Sequence, residues 1–287
     1  YKTCKILKIT GDKMKKSRLW YIIKRPTSLL RGVPMKITAD FHTHTRYSHG
    51  TGSVVDNTVN ALSLGMRAVA ITDHAKNHPI VGVKPDKIDD LVKDVKAADK
   101  EYRKIRVLSG LEANIISPRG EIDVTEEQAE KLDILLVGFH LTAYQKKFTD
   151  YFGLPFNGLL HIFCKNSAKR IAYNTDATIK CVLENKVDIL THPGFRLDVD
   201  CAAIAAACAE TGTYMELSSR HRIPDLKDLE ASLKAGAKFV INSDAHKPVN
   251  VGKCDYAISL AEELGLTDNE IVNISDKPVV FRRGLTV

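Results

Sequence analysis

The chain has 287 residues, 44% hydrophobic and 27% charged, proportions of a globular protein large enough for one sizeable barrel or two ordinary domains. No apolar run approaches the roughly 18 residues of a membrane span and no secretory signal pattern is evident, so a cytoplasmic protein is expected. The net charge of +7 is uneven: residues 1–36 hold 11 Lys and Arg against Asp12 alone, which leaves 31 basic and 34 acidic residues elsewhere. Basicity therefore belongs to an N-terminal extension, residues 1–35, and not to the body at 36–287; a polyanion contact, if there is one, falls on that extension.

In chain order, residues 13–24 are helix-compatible and are followed by Pro26 and Pro34. Alternation then begins. Ile37–Phe41 reads as a strand, and Val54–Leu64 as a helix that Ser53 caps and Gly65 ends. Arg67–Thr72 is an apolar strand running into Asp73-His74. Residues 86–103 place Ile88, Leu91, Val92, Val95, Ala98 and Tyr102 on one helical face, and Ile105–Leu111 is a strand that ends on Glu112. Thr125 and Gln128 form a capping-box pattern ahead of the strand Asp133–Val137, which delivers Gly138-Phe139-His140. Residues 141–167 break the rhythm; they are aromatic-rich and longer than an ordinary connection, and an insertion over the strand ends, acting as a lid, accounts for them. The alternation resumes with a helix over 168–184, strand Asp188–Thr191, helix Val199–Thr211 and strand Thr213–Leu217. Helix Leu226–Ala235, strand Lys238–Asn242 and helix Tyr256–Glu263 follow, with Val279, Val280 and Phe281 in a tail that packs on the barrel.

Seven nearly uniformly apolar strands alternating with helices indicate a parallel sheet covered on its outer face. The fold class is α/β, a distorted TIM-like (β/α)7 barrel. Six cysteines, at 4, 164, 181, 201, 208 and 254, have no C-x-x-C pair and read as reduced thiols, mostly in the core; Cys201 and Cys208 share a helix face.

Metal-ligand residue types recur just past the strands: His42, His44 and His49 after the first, then His74, Glu112, His140 and His192, and Asp244 and His246 after the seventh. In strand geometry His42 and His44, two apart, point to one side. The carboxyl end of the strands is where barrels build active sites, and six of seven strand ends carry such a residue. Nine donors exceed what one ion takes, so two or three divalent ions are implied, with Zn, Fe or Mn suiting imidazole and carboxylate better than Mg or Ca. His78, His161 and His221 read as surface residues or supports of the ligands.

The segments Phe41-His42-Thr43-His44, Ile71-Thr72-Asp73-His74, Gly110-Leu111-Glu112-Ala113-Asn114, Gly138-Phe139-His140, Thr191-His192-Pro193-Gly194 and Asn242-Ser243-Asp244-Ala245-His246 together resemble the PHP (polymerase and histidinol phosphatase) family, from about residue 37 to 275. It looks closest to the small stand-alone bacterial PHP phosphatases. The resemblance implies a trinuclear centre: His42, His44, Glu112 and Asp244 for one ion, Glu112 bridging to a second held by His140 and His192, and His49, His74 and His246 for the third. It implies phosphomonoester hydrolysis by a metal-bridging hydroxide, with Glu112, Asp244 and His246 assigned as catalytic and a small phosphorylated molecule as substrate. Substrate-binding candidates are Arg196, Arg46 and Ser218; a guanidinium can take a phosphate bidentately. A phosphodiesterase or 3′–5′ exonuclease acting on nucleic acid is one alternative, an amidohydrolase the other. Self-association is left open, and no membrane partner is expected.

Overall fold

The computed structural model describes residues 34–163 and 167–287. The expected helix at 13–24 and Cys4 and Cys164 lie outside the described residues. Seven strands form one parallel sheet in sequence order: β1 (Ala39–Thr43), β2 (Ala68–His74), β3 (Arg106–Asn114), β4 (Ile134–Gly138), β5 (Ile189–Leu190), β6 (Tyr214–Ser218) and β7 (Phe239–Asn242). The helices are α1 (Val54–Ser63), α2 (Ile88–Glu101), α3 (Glu126–Glu130), α4 (Leu154–Phe163), α5 (Ala168–Glu184), α6 (Cys201–Thr211), α7 (Leu226–Lys234) and α8 (Asp255–Glu263).

The seam between β1 and β7 is closed mainly by side chains. Asn273 donates from Nδ2 to the carbonyls of Ala39 (2.8 Å) and Ile241 (2.7 Å) and accepts from the Ile241 amide (3.0 Å). Asn242 Oδ1 accepts from Phe41 N at 3.0 Å, and the backbones meet directly where His44 N donates to Ala245 O at 2.8 Å. The result is a nearly closed barrel.

Alternate residues of each strand divide into two packed layers. Ala68 and Ala70, Leu108, Ile134 and Leu136, Ile189, Tyr214 and Val240 join Ala39 and Phe41 in one cluster inside the barrel, into which Val279 and Phe281 of the tail also pack. Phe281 meets Phe41 edge-on at 5.1 Å. The intervening residues, such as Val69, Ile71, Val107, Leu135, Met215 and Ile241, pack outward with the helices. Following the inward parity along the strands leads from this apolar floor to His74, Glu112, Gly138 and Glu216, so the interior is apolar at one end and polar at the other.

Local chemistry sets the helix ends. Ser53 and Asp56 form a reciprocal capping box on α1, and Gly65 adopts φ 71° just past its end. Thr125 and Gln128 do the same at α3. Helix α6 starts at Cys201 and not at Val199, because the Asp200 carboxylate accepts from the amides of Ala202 and Ala203; Cys201 and Cys208 are both buried on it.

All seven strands begin or end one to three residues from expectation, and three of these shifts shape the architecture. Strand β1 begins at Ala39 because Thr38 N instead donates to Asn273 O. Strand β3 runs to Asn114 because its ladder with β4 continues from Gly110–Ile134 to Asn114–Gly138, which places Glu112 within a strand. Strand β5 keeps two residues, since Thr191-His192-Pro193 already turns away. The 141–167 segment contains a 3-10 turn (Phe148–Phe152) and α4. The Gly158 backbone of α4 lies against Leu141, Phe139 and the Arg196 carbonyl, which seats the helix over the ends of β4 and β5.

Candidate metal centre

The site begins with an irregularity in β1. Ala39 pairs with Ala68 and Asp40 with Val69, but Thr43 pairs with Ile71, so β1 has one more residue than β2 across that interval. Such a bulge re-aims the side chains beyond it. Phe41 stays in the apolar floor, while His42 and His44, of opposite parity, join the inward-facing donors. Buried carboxylates fix the neighbouring loops. Asp40 accepts from the amides of Ser243 (3.2 Å) and Gly252 (2.9 Å), which positions the Asp244 loop. Asp73 accepts from Thr45 N at 2.7 Å and Ser48 N at 3.1 Å, which positions the loop bearing His49.

Glu112 is the hub. Its Oε1 lies 2.8 Å from His192 Nε2 and 3.5 Å from His140 Nε2; its Oε2 lies 2.9 Å from His74 Nδ1, 3.3 Å from His42 Nε2 and 3.7 Å from His44 Nε2. Asp244 Oδ1 is 3.2 Å from His44 Nε2, 3.8 Å from His42 Nε2 and 3.3 Å from His246 Nδ1. Donor atoms lie within 4.8 Å of one another in four groups: His42–His44–Asp244, His74–Glu112–His140, His44–His74–His246 and His192–His221–Asp244. His49 is exposed and joins none of them, but its ring stacks on His74 at 4.9 Å and lies 4.1 Å from His246. Eight of the nine expected donors thus converge and the ninth lies beside them.

Some donors are aimed at one another without bonding. His74 Nδ1 and Glu112 Oε2 are 2.9 Å apart, yet neither has a hydrogen-bond partner. His42 Nε2 and His44 Nε2 do meet within hydrogen-bond distance, at 3.1 Å. Buried polar atoms normally pair, so donors converging without alignment fit a set of cations. Other contacts orient the rings. His140 Nδ1 lies 2.8 Å from Asn114 Oδ1, whose amide donates to Asp123; His42 Nδ1 lies 2.7 Å from Glu216 Oε1. Each leaves the other ring nitrogen facing Glu112. Gly138 is required by proximity, since a Cβ there would sit 2.4 Å from Thr191 Oγ1 and 3.0 Å from Glu112 Oε1. His192 and Asp244 adopt φ of 30° and 50°, unusual for residues with a side chain and characteristic of functional sites.

The electrostatics favour cations. Burial alone would raise the carboxyl pKa values of Glu112, Asp244 and Glu216, but surrounding imidazoles, His140 foremost for Glu112 and His42 for the other two, hold all three below their ordinary range. Burial pulls His42 and His192 down, and the same carboxylates outweigh it, so both stand above normal. Burial and neighbouring imidazoles push His44 and His140 well down and take His49 to about 3, while burial and then the Arg220 guanidinium take His246 to about 4. Carboxylates kept ionised beside imidazoles such as His44 and His140 that are kept neutral are in the form that binds divalent ions.

The substrate-side expectations fare differently. Arg46 is exposed, and Arg196 is exposed with its guanidinium 5.2 Å over the Phe195 ring. Ser218 is buried as the last residue of β6, and its Oγ accepts from His221 N at 3.4 Å. His161 bonds Asp198 at 2.8 Å, away from the cluster, whereas His78 stacks on His74 at 4.3 Å. Two residues beside the donors were not singled out in the sequence, and a third, His221, was given only a surface or supporting role. Glu216 is signalled by an acid at an inward position of an otherwise apolar strand. Arg220, whose Nη1 donates to Asp244 O at 3.0 Å and also contacts His246 Nδ1, follows a strand with no donor at its end and leaves no such signal. His221, read as a surface or supporting residue, places Nε2 2.9 Å from Asp244 Oδ2.

The model of the PHP domain matches residues 40–219. The chain belongs to the PHP family. It is 30% identical over 251 residues to a probable phosphatase of Shewanella sp. strain ANA-3, covering 84% of this chain and 89% of the relative. It is 25% identical over 260 residues to a probable phosphatase of Caldanaerobacter subterraneus, covering 84% and 89%. The histidinol phosphate phosphatase of Lactococcus lactis, solved with zinc, L-histidinol and phosphate, superposes with a TM-score of 0.56 at 11% identity, covering 80% of this chain and 94% of that one. This PHP protein is accordingly a metal-dependent phosphoesterase, a hydrolase of phosphoric ester bonds. Among the described residues no helix is long and apolar enough to cross a membrane.

Proposed function

We propose that the protein hydrolyses phosphomonoesters of small molecules at a centre of three divalent ions, Zn, Mn or Fe, within a barrel spanning 36–287 to which residues 1–35 are an extension. His42, His44, Glu112 and Asp244 hold one ion, Glu112, His140 and His192 the second, and His49, His74 and His246 the third. The observation that carries the reading is the division of Glu112: two imidazoles face Oε1 and three face Oε2, the disposition of a bridging carboxylate. When bound, the ions supply Lewis acidity and lower the pKa of water.

The chain's residues do the rest. Asp40 and Asp73 hold the two donor loops in place, and Glu216 and Asn114 fix the ring orientations of His42 and His140. Arg220, at the rim with its guanidinium against Asp244 and His246, takes a phosphate oxygen, a role that its position beside the donors suits better than those of Arg196 and Arg46. A small ester is supported by the histidinol phosphate phosphatase that shares the fold and by a body, residues 36–287, with 34 acidic against 32 basic residues, which gives a polyanion little attraction.

The test is hydrolysis of a chromogenic phosphomonoester beside the matching diester, with Mn or Zn added, in wild type and Asp244→Asn. Monoester turnover that falls at least about 100-fold in the variant is expected, in line with removal of a charge that organises the centre. Turnover of the diester alone would transfer the activity to the phosphodiesterase class.

A further inference from the structure

We propose that His221 is a tenth metal-binding donor, acting with His192 and Asp244 on an ion that the nine-residue set does not assign to it. The inference rests on the metal-centre reading above and adds a residue to it.

Four observations lead there. First, Asp244 is turned two ways: Oδ1 faces His42, His44 and His246, while Oδ2 faces away from them toward His221 Nε2 at 2.9 Å. A carboxylate whose oxygens serve two separate groups of imidazoles is disposed to bridge, as Glu112 is. Second, donor atoms of His192, His221 and Asp244 lie within 4.8 Å of one another, a group distinct from the three that contain the remaining donors.

Third, the imidazole is preorganised. Its ring lies 3.8 Å from that of Phe195 at a 32° tilt and meets His192 edge-on at 5.0 Å. The loop that carries it is pinned at both ends of a short turn: Ser218 N donates to Ile223 O at 2.8 Å, and His221 N to Ser218 Oγ at 3.4 Å. The side chain is 16% exposed, so it faces the cluster from the rim and is not free in solvent. Fourth, His192 is already committed to Glu112 through Nε2, which places the wedge between His192, His221 and Asp244 directly beside the Glu112 groups. An additional nitrogen there raises the affinity of the centre for Zn, Fe or Mn and disfavours Mg, which seeks oxygen.

The competing role for His221 is a hydrogen bond that merely steadies Asp244, and two substitutions separate them. His221→Asn keeps a neutral N–H donor but is a poor ligand for these ions; His221→Asp supplies a good ligand and cannot donate. Metal-stripped wild type and both variants are titrated with Zn in competition with a chromogenic chelator, and bound metal is counted after dialysis. The circular dichroism of the stripped proteins checks that each variant is folded.

If His221 is a ligand, the asparagine variant weakens at least one ion by more than the roughly 10- to 100-fold that loss of a supporting hydrogen bond brings, and the aspartate variant restores most of that affinity. Weakening in the aspartate variant alone, in both variants, or in neither overturns the proposal while leaving the metal centre intact. Failure of wild type to bind Zn at all would instead overturn the reading beneath it.

Discussion

Replacing Glu216 with Gln removes a charge that is not among the expected metal donors but bonds two of them directly. Glu216 is fully buried and accepts three hydrogen bonds: from the His42 ring at 2.7 Å, His192 N at 2.9 Å and Asn242 Nδ2 at 3.0 Å. All three partners are donors, two on Oε1 and one on Oε2. A glutamine fits the volume but must turn its own NH2 toward one of them, so at least one donor is left facing another. Losing a charge-assisted hydrogen bond at a buried site costs about 1.5 to 3 kcal/mol, which in a domain of this size lowers the melting temperature by about 5 to 10 °C. The His42 imidazole also loses the carboxylate that contributes most to keeping its pKa high, and with it the anchor of its ring orientation. Metal affinity should fall roughly 10- to 100-fold, about 1.4 to 2.7 kcal/mol. Chelator competition and thermal melts of metal-stripped and metal-loaded protein measure both effects. A variant that keeps wild-type affinity within about threefold, although fully folded, would refute the claim that Glu216 orients His42 for metal.

Two further outcomes follow from the same geometry. Gly138→Ala would drive a methyl group to 2.4 Å from Thr191 Oγ1 and 2.8 Å from His192 Cε1; overpacking of this kind costs about 1 to 3 kcal/mol and displaces His192, so bound metal per chain should drop, and unchanged metal content would count against the stated packing. The metal-stripped protein should lose stability as pH falls. His44 and His140 have strongly lowered pKa values, with His49 at about 3 and His246 at about 4, so between about pH 6.5 and 4 the unfolded chain binds more protons than the folded one at these sites. His42 and His192, with raised values, act oppositely and lose their contribution as pH rises past 6.5; the lowered carboxylates Glu112, Asp244 and Glu216 add a loss below about pH 4.5. Urea midpoints at pH 7.5 and 5.0 measure the balance, and a higher midpoint at pH 5.0 would contradict it.

The barrel was legible because each strand is apolar on both faces and ends in a polar signal, and because caps such as Ser53 with Asp56 and Thr125 with Gln128 are local in sequence. The donors were legible for the same reason: one lies at nearly every strand end. What the sequence did not carry is long-range. The β1 bulge depends on pairing with β2, the Asn273 seam joins residues more than 230 apart, and Arg220 gains meaning only when the loop after β6 closes on Asp244. Glu216 was within reach, since an acid at an inward position of Tyr214–Ser218 requires a buried partner; alternation within the strand would have exposed it, whereas attention to strand ends alone did not. Arg220, by contrast, was out of reach: its contacts with Asp244 and His246 span 24 and 26 residues, and only the folded loop brings them together.

The central claim is that the donors at the carboxyl end of the barrel form one multi-ion centre that carries phosphoesterase activity. The most direct measurement titrates metal-stripped protein with Mn or Zn while following bound ion per chain and phosphomonoester hydrolysis together. The account predicts three tightly bound ions, with activity appearing only as the set fills. Full activity with a single ion bound, or in the stripped protein, would contradict it.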